Sequence, residues 1–323
     1  MKKTLPITLL AQMDGVAVFQ TAAFSDMECS SIDIAGSEIY QHMYQSENQQ
    51  QQASYGELNL GLHVNDDASV VLSNRMRVLA AINEQLLTQQ DLPINSLPIR
   101  ALHWVNQVHG NYIHDIDTTV LSIEPMAADA MVSKQDGVGL AIMTADCVPI
   151  VLYQPATGQI AAIHAGWQGL ACGVIKATAE RFSDSGEIMA WIGVCISQEN
   201  YEVGSSVRDK LLAGCIENNA LTIEAISNFD ERYVIASATN HSDERSTADT
   251  LSDNAPVDGH KIKINLPKIA ADQLQEAGIV VCNESPVPCS YADGHYYSYR
   301  RQTHLQQPAT GRMALIITHS ASI

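Results

Sequence analysis

The 323 residues include 18 basic and 36 acidic side chains, and the net charge of -18 opposes nonspecific attraction to nucleic-acid phosphates or anionic lipid. At 46% hydrophobic content the chain can bury a sizeable core, yet no apolar segment reaches the roughly 18 residues needed to span a bilayer. A small-molecule ligand fits this composition better than nucleic acid or membrane. The seven cysteines are odd in number, scattered, and form no Cys-x-x-Cys pair, as expected in a reducing compartment such as the cytoplasm.

The opening MKKTLPITLLAQM has the lysines and apolar stretch of a secretory leader. Pro6 interrupts its short apolar core, however, and the run continues into GVAVFQTAAF without a small-residue cleavage site. Residues 5–24 are therefore read as β-rich. SENQQQQAS (46–54) has no apolar periodicity and reads as a mobile loop. YGELNLGLHVNDD (55–67) alternates at Leu58, Leu60 and Leu62 like a strand, and Asp66 or Asp67 caps a helix with Val71, Val78, Ile82 and Leu86 on one side. A Pro-punctuated connection (91–98) leads to RALHWVNQVHG, which alternates as a strand ending at His109.

GVGLAIMTADCVPIVLY is apolar on both sides of an Ala-Asp-Cys break, the pattern of strands covered on both faces. A Pro-Ala-Thr-Gly turn (155–158) leads to QIAAIHAGW, giving a tight strand pair that carries Cys147 and His164. From Gln168 the spacing becomes helical: Leu170 with Val174, Ala171 with Ile175, and Thr178 with Phe182, ending at Ser183–Gly186. Gly166 and Gly169 at its start serve a strand-to-helix turn or hold an anion.

WIGVCISQENYEVG (191–204) reads as strand plus loop, before a helix with Val207, Leu211 and Cys215 on one face. A polar surface insertion occupies 237–259. In INLPKIAADQLQEAG, Asn265 caps a helix, Pro267 lies in its first turn and Gly278 stops it. Residues 295–320 read as two strand-like runs around a basic loop. There is no internal repeat and no evident boundary, so 1–323 is taken as a single domain.

His109, Cys147 and His164 each stand where an apolar run breaks into Gly, Asp or Pro punctuation. Two imidazoles and a thiolate brought together would make a three-ligand metal site with a fourth position left to water or substrate. The same residues also admit a metal-free reading, with Cys147 as nucleophile and His164 as its base, or a bland one as unrelated core residues. Gln107 either hydrogen-bonds a polar substrate edge or is a solvated strand-end glutamine. Asp146 either orients the site from behind or caps the turn. Arg300, Arg301 and Arg312 concentrate positive charge in an acidic chain, as an anion clamp or as structural ion pairs. Tyr296, Tyr297 and Tyr299 read as packing.

Taken in order, LNLGLHVNDD (58–67), Asn74-Arg75, NQVHG (106–110), TADCVPI (144–150), HAGWQG (164–169), YEVG (201–204), SYRR (298–301) and TGRM (310–313) resemble the YfiH-like proteins, named the multicopper polyphenol oxidase or laccase domain family. The resemblance covers most of the chain after about residue 55. It implies an α+β single domain with mixed β-sheets packed between helices, related to cysteine deamidase toxins, and zinc held by His109, Cys147 and His164. It also implies phosphorolysis of adenosine, inosine, guanosine and methylthioadenosine to base plus ribose 1-phosphate, and deamination of adenosine to inosine. Substrate contacts are expected from Asn59, Arg75, Gln107, Asp146, Arg300, Arg301 and Arg312, with nucleoside and phosphate as partners and a monomeric chain. Copper polyphenol oxidation is disfavoured, since three evident ligands are too few for several coppers. The same residues also fit a Cys-His amidase acting on cell-wall or peptide amides, or a non-catalytic nucleoside-binding protein. The chain departs from the family pattern in its glutamine run, in Asn65 where glycine is usual, at 193–197, in a longer link between SYRR and TGRM, and in the 237–259 insertion.

Overall fold

The computed structural model describes residues 5–25, 53–90, 97–118, 125–237, 261–282 and 286–321. Nearly all of the glutamine-rich loop, the 91–98 connection and the 237–259 insertion fall outside these residues.

An antiparallel hairpin of β1 (Ile7–Met13) and β2 (Val16–Thr21) opens the fold. Helix α1 (Ala68–Gln90) is capped by Asp67, whose carboxylate accepts from the Ser69 N–H at 2.8 Å. Its Val71, Val78, Ile82 and Leu86 are fully buried, as their spacing requires. Five short or medium strands follow: β3 (Ala101–His103), β4 (Ile113–Asp115), β5 (Ala130–Ser133), β6 (Val138–Thr144) and β7 (Val148–Gln154). Next come β8 (Gln159–Ala165), α2 (Trp167–Ala171), α3 (Val174–Ala179), β9 (Ile188–Ile192), β10 (Glu202–Gly204) and α4 (Ser205–Glu217). The chain continues through α5 (Ile223–Ser227), α6 (Phe229–Tyr233), β11 (Val234–Ala236), β12 (Lys261–Ile264) and α7 (Leu266–Glu276). It closes with β13 (Ile279–Val281), α8 (Tyr299–His304) and β14 (Met313–His319).

Two mixed sheets carry the architecture, one of order β1-β2-β14-β6-β3 and one of order β13-β9-β7-β8-β5-β4. A small sheet, β10-β12-β11, flanks them. Side-chain alternation along each strand decides the layers. Leu140 and Ile142 on β6, Val151 and Tyr153 on β7, Ile160 and Ala162 on β8, and Leu315 and Ile317 on β14 pack together between the two sheets. Ala141 and Ile316 face the other way and meet Val78, Ile82 and Leu86 of α1. Ile150, Leu152, Ala161 and Ile163 bury against Leu170, Val174, Leu211 and Leu274 of α2, α3, α4 and α7. The result is an α/β/β/α stack, the α+β fold of mixed sheets between helices. Burying each such aliphatic side chain contributes about 1.5–3 kcal/mol before entropy is counted.

Several expectations from pattern alone are corrected. Residues 55–67 form no strand: 62–66 turn, Gly56 and Asn65 have left-handed φ, and beside two isolated backbone bonds, Glu57 N–H to the Ala23 carbonyl and Leu60 N–H to the Arg312 carbonyl, side chains take the backbone groups. Arg75 donates to the Leu60 carbonyl at 2.9 and 3.0 Å, and the Asn59 amide oxygen accepts from the Gly61 and Arg312 N–H groups, each at 2.9 Å. The single helix expected from 168 breaks into α2 and α3 at Gly173, whose φ of 71° is a left-handed conformation that ends one helix and starts the next. The run around SYRR is not a strand: Ser298 Oγ accepts from the Arg301 N–H at 3.1 Å and starts helix α8. Asn65 has φ 64°, which accounts for the glycine usual there; asparagine is among the few other residues that tolerate it.

Candidate metal centre

The Ala145-Asp146-Cys147 break is where the chain leaves one large sheet and enters the other: β6 pairs with β14 and β3, whereas β7 pairs with β8 and β9. Cys147 therefore sits on the rim between the sheets. Pro149 of β7 faces His164 of β8, and His164 shares the parity of Ile160 and Ala162, which places its ring on the inter-sheet side of the same rim. His109 arrives differently. Strand β3 ends at His103, and His109 follows in a loop with left-handed backbone (φ 61°), so the expectation of a strand-end histidine is corrected.

That loop is held by side chains. Gln107 uses both ends of its amide on Met143, donating to the carbonyl at 2.7 Å and accepting from the N–H at 2.9 Å. Asp129, fully buried, accepts from the N–H groups of Val108 (3.1 Å), His109 (2.8 Å) and Gly110 (2.6 Å). The same carboxylate lies 2.9 Å from His164 Nδ1. A carboxylate accepts, so Nδ1 carries a proton and Nε2 is the ring nitrogen left to face Cys147. One aspartate thus positions both histidines.

The ligand atoms of His109, Cys147 and His164 lie within 4.8 Å of one another, and the two imidazoles meet edge to face with centroids 4.7 Å apart. Gly166 is needed beside them, since a Cβ there would stand 3.0 Å from Cys147 Sγ and 3.4 Å from His109 Cδ2. Burial opposes ionisation of Cys147, but the charge of His164 and hydrogen bonds from both histidines bring the thiol down to about 6. Burial likewise opposes charging of His164, yet Cys147 and Asp129 raise it to about 9. The two shifts favour a thiolate–imidazolium pair, and a cation bound by both side chains would displace the imidazolium proton. The donor set fits zinc: two nitrogens and a sulfur, a carboxylate behind one imidazole, and exposure of His109 on the open side. The sign of the thiol shift gives a direct test. In chelated protein, iodoacetamide should label Cys147 at a rate that is near its plateau at pH 7 and falls as pH drops through about 6. A rate still climbing above pH 8 contradicts the assignment.

A cavity of about 520 Å³ opens over the trio, within the size range of small-molecule sites. Of the residues expected to contact substrate, Gln107, Asp146, Arg300 and Arg312 line it. Asn59, Arg75 and Arg301 do not. Asn59 is buried in its loop, and Arg75 stacks 4.2 Å over Trp104 while holding Leu60. The Arg301 guanidinium is spent on the carbonyls of Ser290, Tyr291, Asp293 and Tyr296. Asp146 has φ 112°, a strained value for a non-glycine beside the candidate ligand. Its carboxylate accepts from Ser290 Oγ at 2.8 Å and from the Arg300 N–H at 2.6 Å, and burial holds it above the usual carboxylate range. It anchors α8 to the cysteine loop, and orientation of the histidines falls to Asp129.

Sequence reasoning missed Asp129, whose only signal is an acidic residue placed among alanines directly before an apolar strand. It also passed over His63 and Tyr201, although both stand inside the 58–67 and 201–204 motifs and line the cavity. Desolvation and the charges of Arg312 and Arg75 hold His63 below the ordinary imidazole range. Desolvation lowers Arg312 as well, and it lines the same cavity.

An α/β/β/α stack whose inter-sheet rim presents a His-Cys-His cluster to an open cavity defines a metal-site class distinct from four-ligand structural zinc folds. A family model described as multi-copper polyphenol oxidoreductase laccase matches residues 42–320, and the chain belongs to that family. The chain is 40% identical over 163 residues to the purine nucleoside phosphorylase YfiH of Escherichia coli (strain K12), covering 49% of this chain and 59% of that protein. It is 37% identical over 170 residues to a purine nucleoside phosphorylase of Pseudomonas aeruginosa, covering 51% and 61%. The matched segment thus spans about six tenths of the length of these relatives. Among solved structures, a Bacillus licheniformis hypothetical protein YfiH superposes with TM-score 0.64 at 22% identity, covering 98% of this chain and 97% of that one. A Neisseria meningitidis protein does so with TM-score 0.62 at 25% identity, covering 98% and 100%. Among the described residues the trio is the one cluster of three or more candidate ligands, fewer than several coppers need. No helix of the described residues is long and apolar enough to cross a membrane.

Proposed function

We propose that the protein is a zinc-dependent purine nucleoside phosphorylase, cleaving adenosine, inosine, guanosine and methylthioadenosine with phosphate, and that the same site deaminates adenosine to inosine. The observation that carries this reading is the convergence of His109, Cys147 and His164 on a cavity that Arg312 and Arg300 also line. Zinc bound by the trio supplies a Lewis acid and a water of lowered pKa. The chain's own residues do the rest. Arg312 and Arg300 supply positive potential for the phosphate that attacks C1′ as the bond to the purine breaks. Tyr201 and Tyr299 line the same cavity; the Arg300 guanidinium lies 5.4 Å over the Tyr201 ring, so the exposed Tyr299 is the aromatic left to pack on the base. Asp129 keeps His164 in one tautomer, and Gln107 ties the His109 loop to β6.

The metal-free reading has one specific observation in its favour. Cys147, His164 and Asp129 stand in the order of a nucleophile, its base and the carboxylate that orients the base, as an amidase requires. Chelation separates the two. Removing metal should abolish turnover of inosine, and zinc should restore it. Activity that survives chelation but is lost on thiol alkylation would instead favour the amidase.

A further inference from the structure

Two thiols outside the trio meet across an isolated backbone bridge. Cys195 lies in the loop after β9 and is 1% exposed, and Cys289 lies in the strap that leads to α8 and is half-buried. Their backbones form an isolated parallel bridge, Cys195 opposite Cys289, with the Ser290 N–H donating to the Cys195 carbonyl at 2.9 Å. Bridged backbones run about 4.8 Å apart. That separation falls within the roughly 4.4–6.8 Å between Cα atoms that a disulfide spans. Directly paired residues also project their side chains to the same side.

Cys289 Sγ accepts from the Ser197 N–H at 3.2 Å and from Asn200 Nδ2 at 3.4 Å, donors that favour a thiolate. Burial opposes ionisation of Cys289, but hydrogen bonds from Ser197 and from the backbone of Ala292 and Tyr291 hold its thiol below the usual range, while burial raises that of Cys195. One sulfur is therefore the nucleophile and the other its resolving partner. Cys289 is partly exposed, so a small oxidant reaches it from solvent, while Cys195 also lines a cavity of about 270 Å³ with Ser197, Gln198 and Lys268.

We propose that Cys195 and Cys289 are a modification site, a thiol pair that closes reversibly to a disulfide on exposure to a hydroperoxide. The Cys289 thiolate attacks the peroxide oxygen, the S–O bond forms, the O–O bond breaks and the alcohol or water leaves. The Cys195 sulfur then attacks the resulting sulfenic acid, the S–S bond forms, and the S–O bond breaks as water departs with the Cys195 proton. Both thiols together lose two electrons, which reduce the peroxide. The flanking residues connect the pair to the trio: Ser290 holds the Asp146 carboxylate, and the Ile196 N–H donates to the Asp146 carbonyl at 2.9 Å. This inference does not depend on the substrate of the main cavity.

The test treats zinc-loaded full-length protein with hydrogen peroxide, alkylates the remaining thiols in denaturant without reductant, and maps peptides by mass. The expected product is one crosslinked pair containing Cys195 and Cys289, lighter by two hydrogens and released by dithiothreitol. Cys289→Ser should leave Cys195 fully alkylated after the same treatment. The proposal is overturned if Cys195 of the wild type stays fully alkylated while Cys289 is oxidised to sulfinic acid or left free, or if Cys195 is joined to a different cysteine.

Discussion

Cys147→Ala should leave a folded protein that binds no stoichiometric metal and turns over inosine about 10³-fold more slowly, or not measurably. Cys147 supplies the one anionic ligand of the trio, and its removal leaves two neutral imidazoles, too few for a tight zinc site. A metal's contribution to stabilising developing charge is several kcal/mol, and each ~1.4 kcal/mol is tenfold in rate. The fold should survive, because the residue lies on the sheet rim, half-buried, outside the three packed layers. Metal analysis of dialysed protein beside circular dichroism checks both halves. Wild-type metal content in the variant would remove Cys147 from the ligand set.

Asp129→Asn is expected to weaken metal affinity about 10–100-fold, the range found when the group behind a ligating histidine is lost. The amide can still accept at one atom but cannot satisfy both His164 Nδ1 and the Gly110 N–H, which now use separate carboxylate oxygens. Hydrogen bonds from His164, Gly110 and His109 outweigh burial and hold the Asp129 carboxyl below its ordinary range, so it is charged throughout neutral pH. A buried donor left facing an amide N–H costs about 1–3 kcal/mol. Urea unfolding should register that loss, and competition with a chromogenic chelator should register the affinity. Unchanged affinity would mean that Asp129 only braces the 108–110 loop.

What is legible in the sequence follows from where the backbone finds its partners. Where strands pair with strands, as in β6, β7 and β8, or a helix buries one stripe, as in α1 and α7, the periodicity of Leu140, Ile142, Val78 or Leu274 suffices. Where side chains supply the hydrogen bonds, alternation misleads. The stretch ending at His109 alternates like a strand, but the carboxylate of Asp129 and the amide of Gln107 replace the neighbouring strand. At 58–61 a single backbone bond, from the Leu60 N–H to the Arg312 carbonyl, is supplemented by the side chains of Arg75 and Asn59. No local pattern announces such long-range side-chain bonds.

The site follows the same rule. His109, Cys147 and His164 are visible as residue types at breaks in apolar runs, and the cavity gathers Gln107, Asp146, Arg300 and Arg312 around them. All four arginines bond backbone carbonyls, Arg300 that of Glu202 and Arg312 those of Thr310 and Gly311, yet only Arg300 and Arg312 line the cavity while Arg301 and Arg75 do not. Which arginine serves a ligand and which a loop is decided by tertiary geometry that composition does not encode.

The most direct test of phosphorolysis at this site incubates metal-replete protein with inosine, with and without inorganic phosphate, and quantifies products by chromatography. Hypoxanthine and ribose 1-phosphate should appear in equal amounts with phosphate, and neither should appear without it. Inosine left intact over a long incubation, or hypoxanthine released at the same rate without phosphate, would contradict it.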